Sequence, residues 1–555
     1  PLGYMKTVGV KPDNIGGTAE GRFTLFLPMT RDVEFKDMKV NGSARLENAI
    51  ATGVVEGVDV QGGALDVNVS EQALDAKGEI MIKGVPATLS WERLFFTPED
   101  RQPPIRISAL LNEQTRDKLG IKVNHLVRGP LPTTILIKRD ETGAQSMSLE
   151  ADLSGAELIF GNMGWTKPKG KQAAVGFDIV KAQDGSTELA NLKITGDDIA
   201  ITGSMFLDPE QHLKSFNFSD FSFDILTHVQ IAAMVREGNI LDVRATGASY
   251  NGKQFFQSLF SAGQLAENAP PEPDDVLGIN LSARIDTVVG FYDTTLKDVH
   301  VTLQKRGGKL VALDIKGALN GEGQVAVKLD HEGSSRVIKA ESRDAGAAFR
   351  LVGFYPSVSG GEASLQVNLD AGDVGSKSGT LWVRNFELLG DAVVSDVLAD
   401  PNTTAALGHA PSKRQADRVR IGFRQLRAPF SVGGGKFRLN DAYMNGPQLG
   451  ATMRGSVDFK TQTVDLGGTY VPAYGLNAGV LGAIPVFGKV LTGRQGEGLI
   501  GITFTVQGKL DDPAVLVTPM SVLTPGIFRQ IFEGGQARAS EASPAVEPPF
   551  GMTTP

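Results

Sequence analysis

Leu499 to Phe532 reads Leu-Ile-Gly-Ile-Thr-Phe-Thr-Val-Gln-Gly-Lys-Leu-Asp-Asp-Pro-Ala-Val-Leu-Val-Thr-Pro-Met-Ser-Val-Leu-Thr-Pro-Gly-Ile-Phe-Arg-Gln-Ile-Phe. Its first third alternates: Ile502, Phe504 and Val506 point one way, Thr503, Thr505 and Gln507 the other. A Gly-Lys-Leu-Asp-Asp-Pro turn follows, then a short strand from Val515 to Val517. Beyond Pro519 and Pro525, Ile527, Phe528, Ile531 and Phe532 share one face of a closing helix. The pattern is that of a capped sheet end with one apolar face, and none of its residues suggests catalysis.

The same unit recurs upstream. Phe23, Leu25 and Leu27 alternate with Arg22, Thr24 and Phe26. Val58 to Val69 and Gly78 to Gly84 read as strands joined by glycine-containing turns. Leu192, Ile194, Ile199 and Ile201 continue the alternation, as do Phe216 and Phe218. Val299 and Val301 open a hairpin around Lys305-Arg-Gly-Gly308, followed by Val325 with Val327 and Leu365 with Val367. Helices are sparse: 112–119 with Asn112 as N-cap and Gly120 as stop, 251–260, 344–354, and 388–399.

Composition agrees with an all-β chain. Among 555 residues, 66 are glycine, and the aromatics are mostly phenylalanine, 28 against 3 tryptophans, so tight turns and apolar strands dominate. The length exceeds one core, yet clear linkers are missing. The reading divides the chain into an N-terminal β-groove region with short helices (1–266), a loop or hinge (267–275) and a middle β-groove region (276–417). A C-terminal β region with a closing helix (418–534) and a disordered tail (535–555) complete it.

The net charge of −8 comes with scattered lysines and arginines and no basic stripe, which argues against nucleic acid. With no cysteine, disulfides, Fe–S clusters and thiol catalysis are excluded. The six histidines (His125, His212, His228, His300, His331 and His409) show no ligand spacing, so neither a metal nor another cofactor is expected. Gly493-Arg-Gln-Gly-Glu-Gly498 lacks the strand-loop-helix context of a phosphate cradle, and Gly433-Gly-Gly435 reads as a hairpin turn. Lys167-Pro-Lys-Gly-Lys171 reads as a solvated basic turn, with lipid-headgroup contact as the lesser alternative; Asp197-Asp198 and Asp511-Asp512 are turn acids. No nucleophile, base and acid set can be nominated, so the expectation is a protein that is not an enzyme.

A sheet with one apolar face must cover that face. Helical cover is too sparse, which leaves either two sheets packed as a sandwich or one curled sheet. The many repeats and the scarcity of linkers favour a long, twisted, curled antiparallel sheet whose apolar face lines a groove. Such a groove substitutes for hydrocarbon and shelters acyl chains. Its expected lining is Phe23, Leu25, Leu27, Phe216, Phe218, Val299, Val301, Val325, Val327, Leu365, Val367, Ile502, Phe504 and Val506.

Three stretches carry a family resemblance: Asn385 to Leu398, Phe430-Ser-Val-Gly-Gly-Gly-Lys-Phe-Arg-Leu-Asn-Asp441, and Gly446-Pro-Gln-Leu-Gly-Ala-Thr-Met-Arg-Gly-Ser-Val-Asp458. Tyr470 to Asn477, Ile484-Pro-Val-Phe-Gly488, Gly508 to Pro513 and Thr518 to Arg529 extend it. Together they resemble the C-terminal region of the AsmA-like family, within it the large YhdP-type proteins of Gram-negative bacteria. Thr518 stands where that pattern has Asn. The resemblance covers roughly Asp370 to Phe532, with weaker agreement before it, as at Leu153 to Leu158.

It implies a periplasmic protein anchored to the inner membrane through an N-terminal helix that this chain does not include. Such proteins are similar to bridge-like lipid transfer proteins built of repeating β-groove units. They carry phospholipid between inner and outer membranes, with membrane-protein partners at the ends, and need no cofactor. The competing expectation is a secreted structural β-helix or adhesin-type protein without transport activity.

Overall fold

The computed structural model describes residues 15–29, 39–55, 58–141, 145–257, 277–320, 323–370, 377–390, 420–447, 449–472, 500–510 and 513–522. Among the described residues strand makes up 71% and helix 6%, which settles the class as mainly β. The chain forms two compact units, Pro1–Val235 and Arg236–Pro555. The hinge expected at 267–275, the closing helix at 527–532 and the tail at 535–555 lie outside the described residues.

The first unit begins with β1 (Ile15–Phe26), β2 (Lys39–Val55), β3 (Val58–Val69), β4 (Ala73–Ile82), β5 (Val85–Leu94) and β6 (Ile105–Leu111). Helix α1 (Glu113–Leu119) and β7 (Val127–Arg128) precede β8 (Leu131–Arg139) and β9 (Gln145–Asp152). Then come β10 (Glu157–Phe160), β11 (Trp165–Lys167), β12 (Ala173–Lys181) and β13 (Thr187–Gly196). The last are β14 (Ile199–Leu207), β15 (Leu213–Phe223) and β16 (Thr227–Arg236). Long strands pair antiparallel with the next long strand, β6 with β8 and β9 with β12, while β7, β10 and β11 make a separate small sheet.

The second unit holds β17 (Ile240–Asn251), β18 (Gly278–Val289), β19 (Thr295–Arg306), β20 (Lys309–Leu319), β21 (Gly323–Glu332) and β22 (Ser335–Ser342). Helix α2 (Ala345–Val352) is followed by β23 (Val358–Ser359), β24 (Glu362–Asn368), β25 (Lys377–Leu389) and β26 (Arg420–Gly433). It closes with β27 (Lys436–Asn445), β28 (Leu449–Asp458), β29 (Thr463–Pro472), β30 (Ile500–Lys509) and β31 (Pro513–Val522). The strands again meander antiparallel, except that β17 and β18 run parallel. A parallel pair cannot be joined by a tight turn and needs a crossover, here the stretch that carries the helical turn at 253–257.

Local chemistry explains the joints. Gly434 and Gly435, at φ 64° and 75°, form the two-residue turn between β26 and β27, a conformation matched to strand twist. Both helices are capped alike: Asn112 Oδ1 accepts from the Thr115 amide at 3.0 Å and Asp344 Oδ1 from the Ala347 amide at 2.9 Å. Each ends in a left-handed glycine, Gly120 or Gly353.

Two expectations are corrected. Val58 to Val69 is the strand expected, but its turn to β4, at 70–72, carries no glycine, and Gly62 and Gly63 instead make a bulge within the strand. Leu388 and Leu389 belong to β25, not to a helix: Leu388 pairs with Ile421 in β26, and that cross-strand apolar pair outweighs a helical reading of a short apolar run. Residues 391–399 lie outside the described residues.

Four more bulges share one chemistry. Asn48, Asn191, Asp298 and Asp441 sit inside strands at φ between 43° and 51°, each at a shift in register. Asn and Asp tolerate this left-handed conformation better than other side chains. Each extra residue rephases its strand, so that Leu189 and Ile194, five positions apart, both pair with apolar residues of β12, Ile179 and Val175.

Candidate functional site

Directly opposed residues of neighbouring strands lie on the same face, so the register converts sequence alternation into rows. In the second unit one row reads Ala283, Val301, Ile315, Val327, Ala340, Leu365, Leu381 across seven strands. The adjacent row, on the other face of those strands, reads Ser282, Thr302, Asp314, Lys328, Lys339, Gln366, Thr380. The first row is wholly apolar and the second wholly polar. In the first unit Leu89, Ile107, Ile135, Leu149 and Phe177 form such a row, and Thr88, Ser108, Thr134, Glu150 and Gly176 its polar counterpart.

All of the predicted lining except Leu27 takes register positions on these apolar faces. In the first unit Phe23 and Leu25 stand opposite Gly42 and Val40, more than half exposed, while Leu27 lies just past the end of β1. Phe216 and Phe218 join Met205 and Gly203 of β14, their rings stacked at 4.9 Å. In the second unit Val299 is buried opposite Ile285; Val301, Val325, Val327, Leu365 and Val367 are half-buried. Phe504 and Val506 are buried opposite Gly468 and Leu466, and Ile502 takes the register position opposite Tyr470. The register brings Phe23, Leu25, Phe216 and Phe218 onto one face of their unit. It does the same for Val299, Val301, Val325, Val327, Leu365, Val367, Ile502, Phe504 and Val506 in theirs.

Inserted elements cover one flank of each lane. In the first unit the small sheet lays Phe160 against Phe221 at 5.6 Å and Trp165 against Phe223 at 5.3 Å, where Phe221 and Phe223 belong to the lane. Two buried cations hold that insert together. The Arg116 guanidinium donates to the carbonyls of Leu111, Gly129 and Val127 at 3.1, 2.9 and 3.0 Å, and to Asn124 Oδ1 at 2.7 Å.

The Lys167 ammonium donates to the carbonyls of Ala156, Pro168 and Lys171 at 2.9, 3.1 and 2.9 Å. Lys167 is therefore buried rather than part of a solvated turn, because these carbonyls replace water around its charge. Burial pushes its pKa below the ordinary lysine value, with Asp152 and Asp197 opposing the shift. In the second unit α2 plays the covering part: Ala345 and Phe349 pack with Val383, Phe386, Leu388, Ile421 and Phe423.

A cavity of about 1350 Å³ lies on β6, β8, β9, β12 and β13. Its lining includes Ser108, Thr134, Glu150 and Lys193, which belong to the polar row, and the Ser108 and Thr134 hydroxyls are 3.1 Å apart. It therefore sits on the face opposite the lane. Among the described residues, no group of three or more His, Asp or Glu side chains is placed to hold a metal ion, and no helix is long and apolar enough to cross a membrane.

The alternation pointed to the lane but not to its aromatic cover, because Phe160 and Trp165 meet Phe221 and Phe223 across more than 50 residues of chain. It also missed Gly42, Gly379 and Gly468, which lie within strands opposite Phe23, Phe430 and Phe504. Glycine at an apolar position of an alternating strand is the signal that marks them. Comparison of the chain with protein-family models, with curated proteins and with solved structures finds no match.

Proposed function

We propose that the lanes hold the acyl chains of phospholipids, and that the chain is an AsmA-like lipid-transfer protein of the periplasm. In this reading it carries phospholipid between inner and outer membranes, is anchored to the inner membrane, and supports the outer-membrane barrier. The observation that carries the proposal is the seven-strand apolar row backed by an all-polar row. A sheet that needed only to fold would cover its apolar face; among the described residues, cover comes from short inserts on one flank. Each methylene transferred from water into such a lane is stabilised by about 0.8 kcal/mol. A uniform lining binds a tail firmly in sum while leaving little preference for any one position along it. The motifs between Asp370 and Phe532 support the same family reading.

The rival is a structural protein without transport activity. Its parallel β-helix form is incompatible with the serial antiparallel hairpins, since β-helix coils pair in parallel. Native mass spectrometry after gentle purification separates the remaining possibilities. Phospholipid adducts on the intact chain are expected; a chain that emerges lipid-free, and stays so after incubation with phospholipid vesicles, overturns the proposal.

A further inference from the structure

Four phenylalanines of the lanes face a glycine directly across the strand pair; Phe218 opposite Gly203 meets it only through backbone, and the other three are Phe23 opposite Gly42, Phe430 opposite Gly379, and Phe504 opposite Gly468. The rings of these last three lie over their glycines. A Cβ on Gly468 would come within 2.6 Å of Phe504 Cζ, one on Gly379 within 2.6 Å of Phe430 Cζ, and one on Gly42 within 2.5 Å of Phe23 Cδ1. None of the three has a left-handed φ, so backbone conformation does not call for glycine there. Space does. A ring resting on a glycine shields backbone that would otherwise be bare, and it leaves the middle of the lane clear. Phe504, only 6% exposed on an apolar face, is lodged in this way.

We propose that Gly42, Gly379 and Gly468 set the clearance of the lanes by letting these rings lie flat, so that straight acyl chains pass and methyl-branched or fused-ring lipids do not. The proposal rests on the lipid reading above. A purely structural role competes with it. A Cβ on Gly379 would also meet the Gln366 carbonyl oxygen at 2.5 Å, and one on Gly468 the Thr452 oxygen at 2.5 Å, so close strand approach alone would favour glycine.

The two are separated by truncating the ring. Intact protein is incubated with dioleoyl-phosphatidylethanolamine vesicles, and bound lipid is counted by native mass spectrometry beside a thermal melt. Gly379→Ala is expected to load roughly tenfold less lipid than wild type, a penalty near 1.4 kcal/mol. Phe430→Leu alone should load normally, and Gly379→Ala with Phe430→Leu should regain most of the loss. If the double variant melts like wild type yet loads no better than Gly379→Ala, or if Gly379→Ala loads normally, the proposal fails. Should Gly379→Ala not fold, Phe430→Trp, which sets a larger ring on the same glycine, must load less; normal loading overturns the idea. A wild-type chain that takes up no lipid instead refutes the lipid reading, and the clearance role with it.

Discussion

Phe504 and Thr503 are consecutive residues of β30 in opposite surroundings. Phe504 is buried in the lane between Gly468 and Val517, whereas Thr503 sits between Thr469 and Thr518 in a polar row. A carboxylate at Phe504 would be desolvated without a partner, at a cost of several kcal/mol. Phe504→Asp should therefore lower stability and lipid loading together, while Thr503→Asp should stay within about 1 kcal/mol of wild type. Because lost fold confounds the first variant, Leu25→Asp is the cleaner probe: Leu25 is 57% exposed. It should melt normally and bind less lipid in its unit. Equal binding by Leu25→Asp and wild type would refute the lane.

Acid should weaken the second unit through one carboxylate. The Arg336 guanidinium donates to Asp370 Oδ2 at 2.9 Å, and the Arg336 amide donates to the same oxygen at 2.8 Å. These bonds hold the Asp370 pKa at about 2, down from the ordinary 3.8. A depressed carboxylate pKa stabilises the fold above the unfolded value, and that contribution is lost as pH falls through the folded one. The loss should fall between pH 3.8 and about 2. Urea titrations across that window should show a shallower pH dependence for Asp370→Asn than for wild type.

Lys167→Met keeps the length of the side chain but removes three donors, leaving the carbonyls of Ala156, Pro168 and Lys171 short of a partner in a buried site. A loss of about 2–4 kcal/mol is expected from chemical denaturation, in line with unsatisfied buried acceptors. Trp165, two residues away and stacked on Phe160 at 5.4 Å, reports on the insert by its fluorescence. If Lys167 were solvated, Lys167→Met would be neutral.

The bulges offer a test by conformation alone. At Asn191, φ is 50°, so Asn191→Gly should be neutral within about 0.5 kcal/mol, while Asn191→Val should cost about 1–2 kcal/mol. A thermal melt in which both variants match wild type would show that the register shift in β13 does not depend on the left-handed residue.

Much of this was legible in local pattern. Alternation located Phe504, Val327 and Leu365 on one face, because a strand repeats every two residues whatever its neighbours. Asn112 and Gly120 bounded α1 correctly because capping is settled by nearby backbone groups. The same logic failed at Leu388, where an apolar run fits helix or strand and only the partner strand β26 decides. It failed again at Lys167, since three carbonyls drawn from the folded insert make a buried lysine tolerable where a charged loop suggests solvent.

By itself, then, the sequence determined the class of element, the apolar side of each strand and the chemistry of the turns, all of which depend on covalent geometry and short-range contacts. Tertiary structure alone decided which strands adjoin, and so that Ala283 through Leu381 line up as one row. It likewise decided that β17 and β18 run parallel and that Phe430 rests on Gly379. Register, cover and clearance are relations between residues distant in the chain. Their energies come from backbone ladders and side-chain packing that exist only once the strands have met.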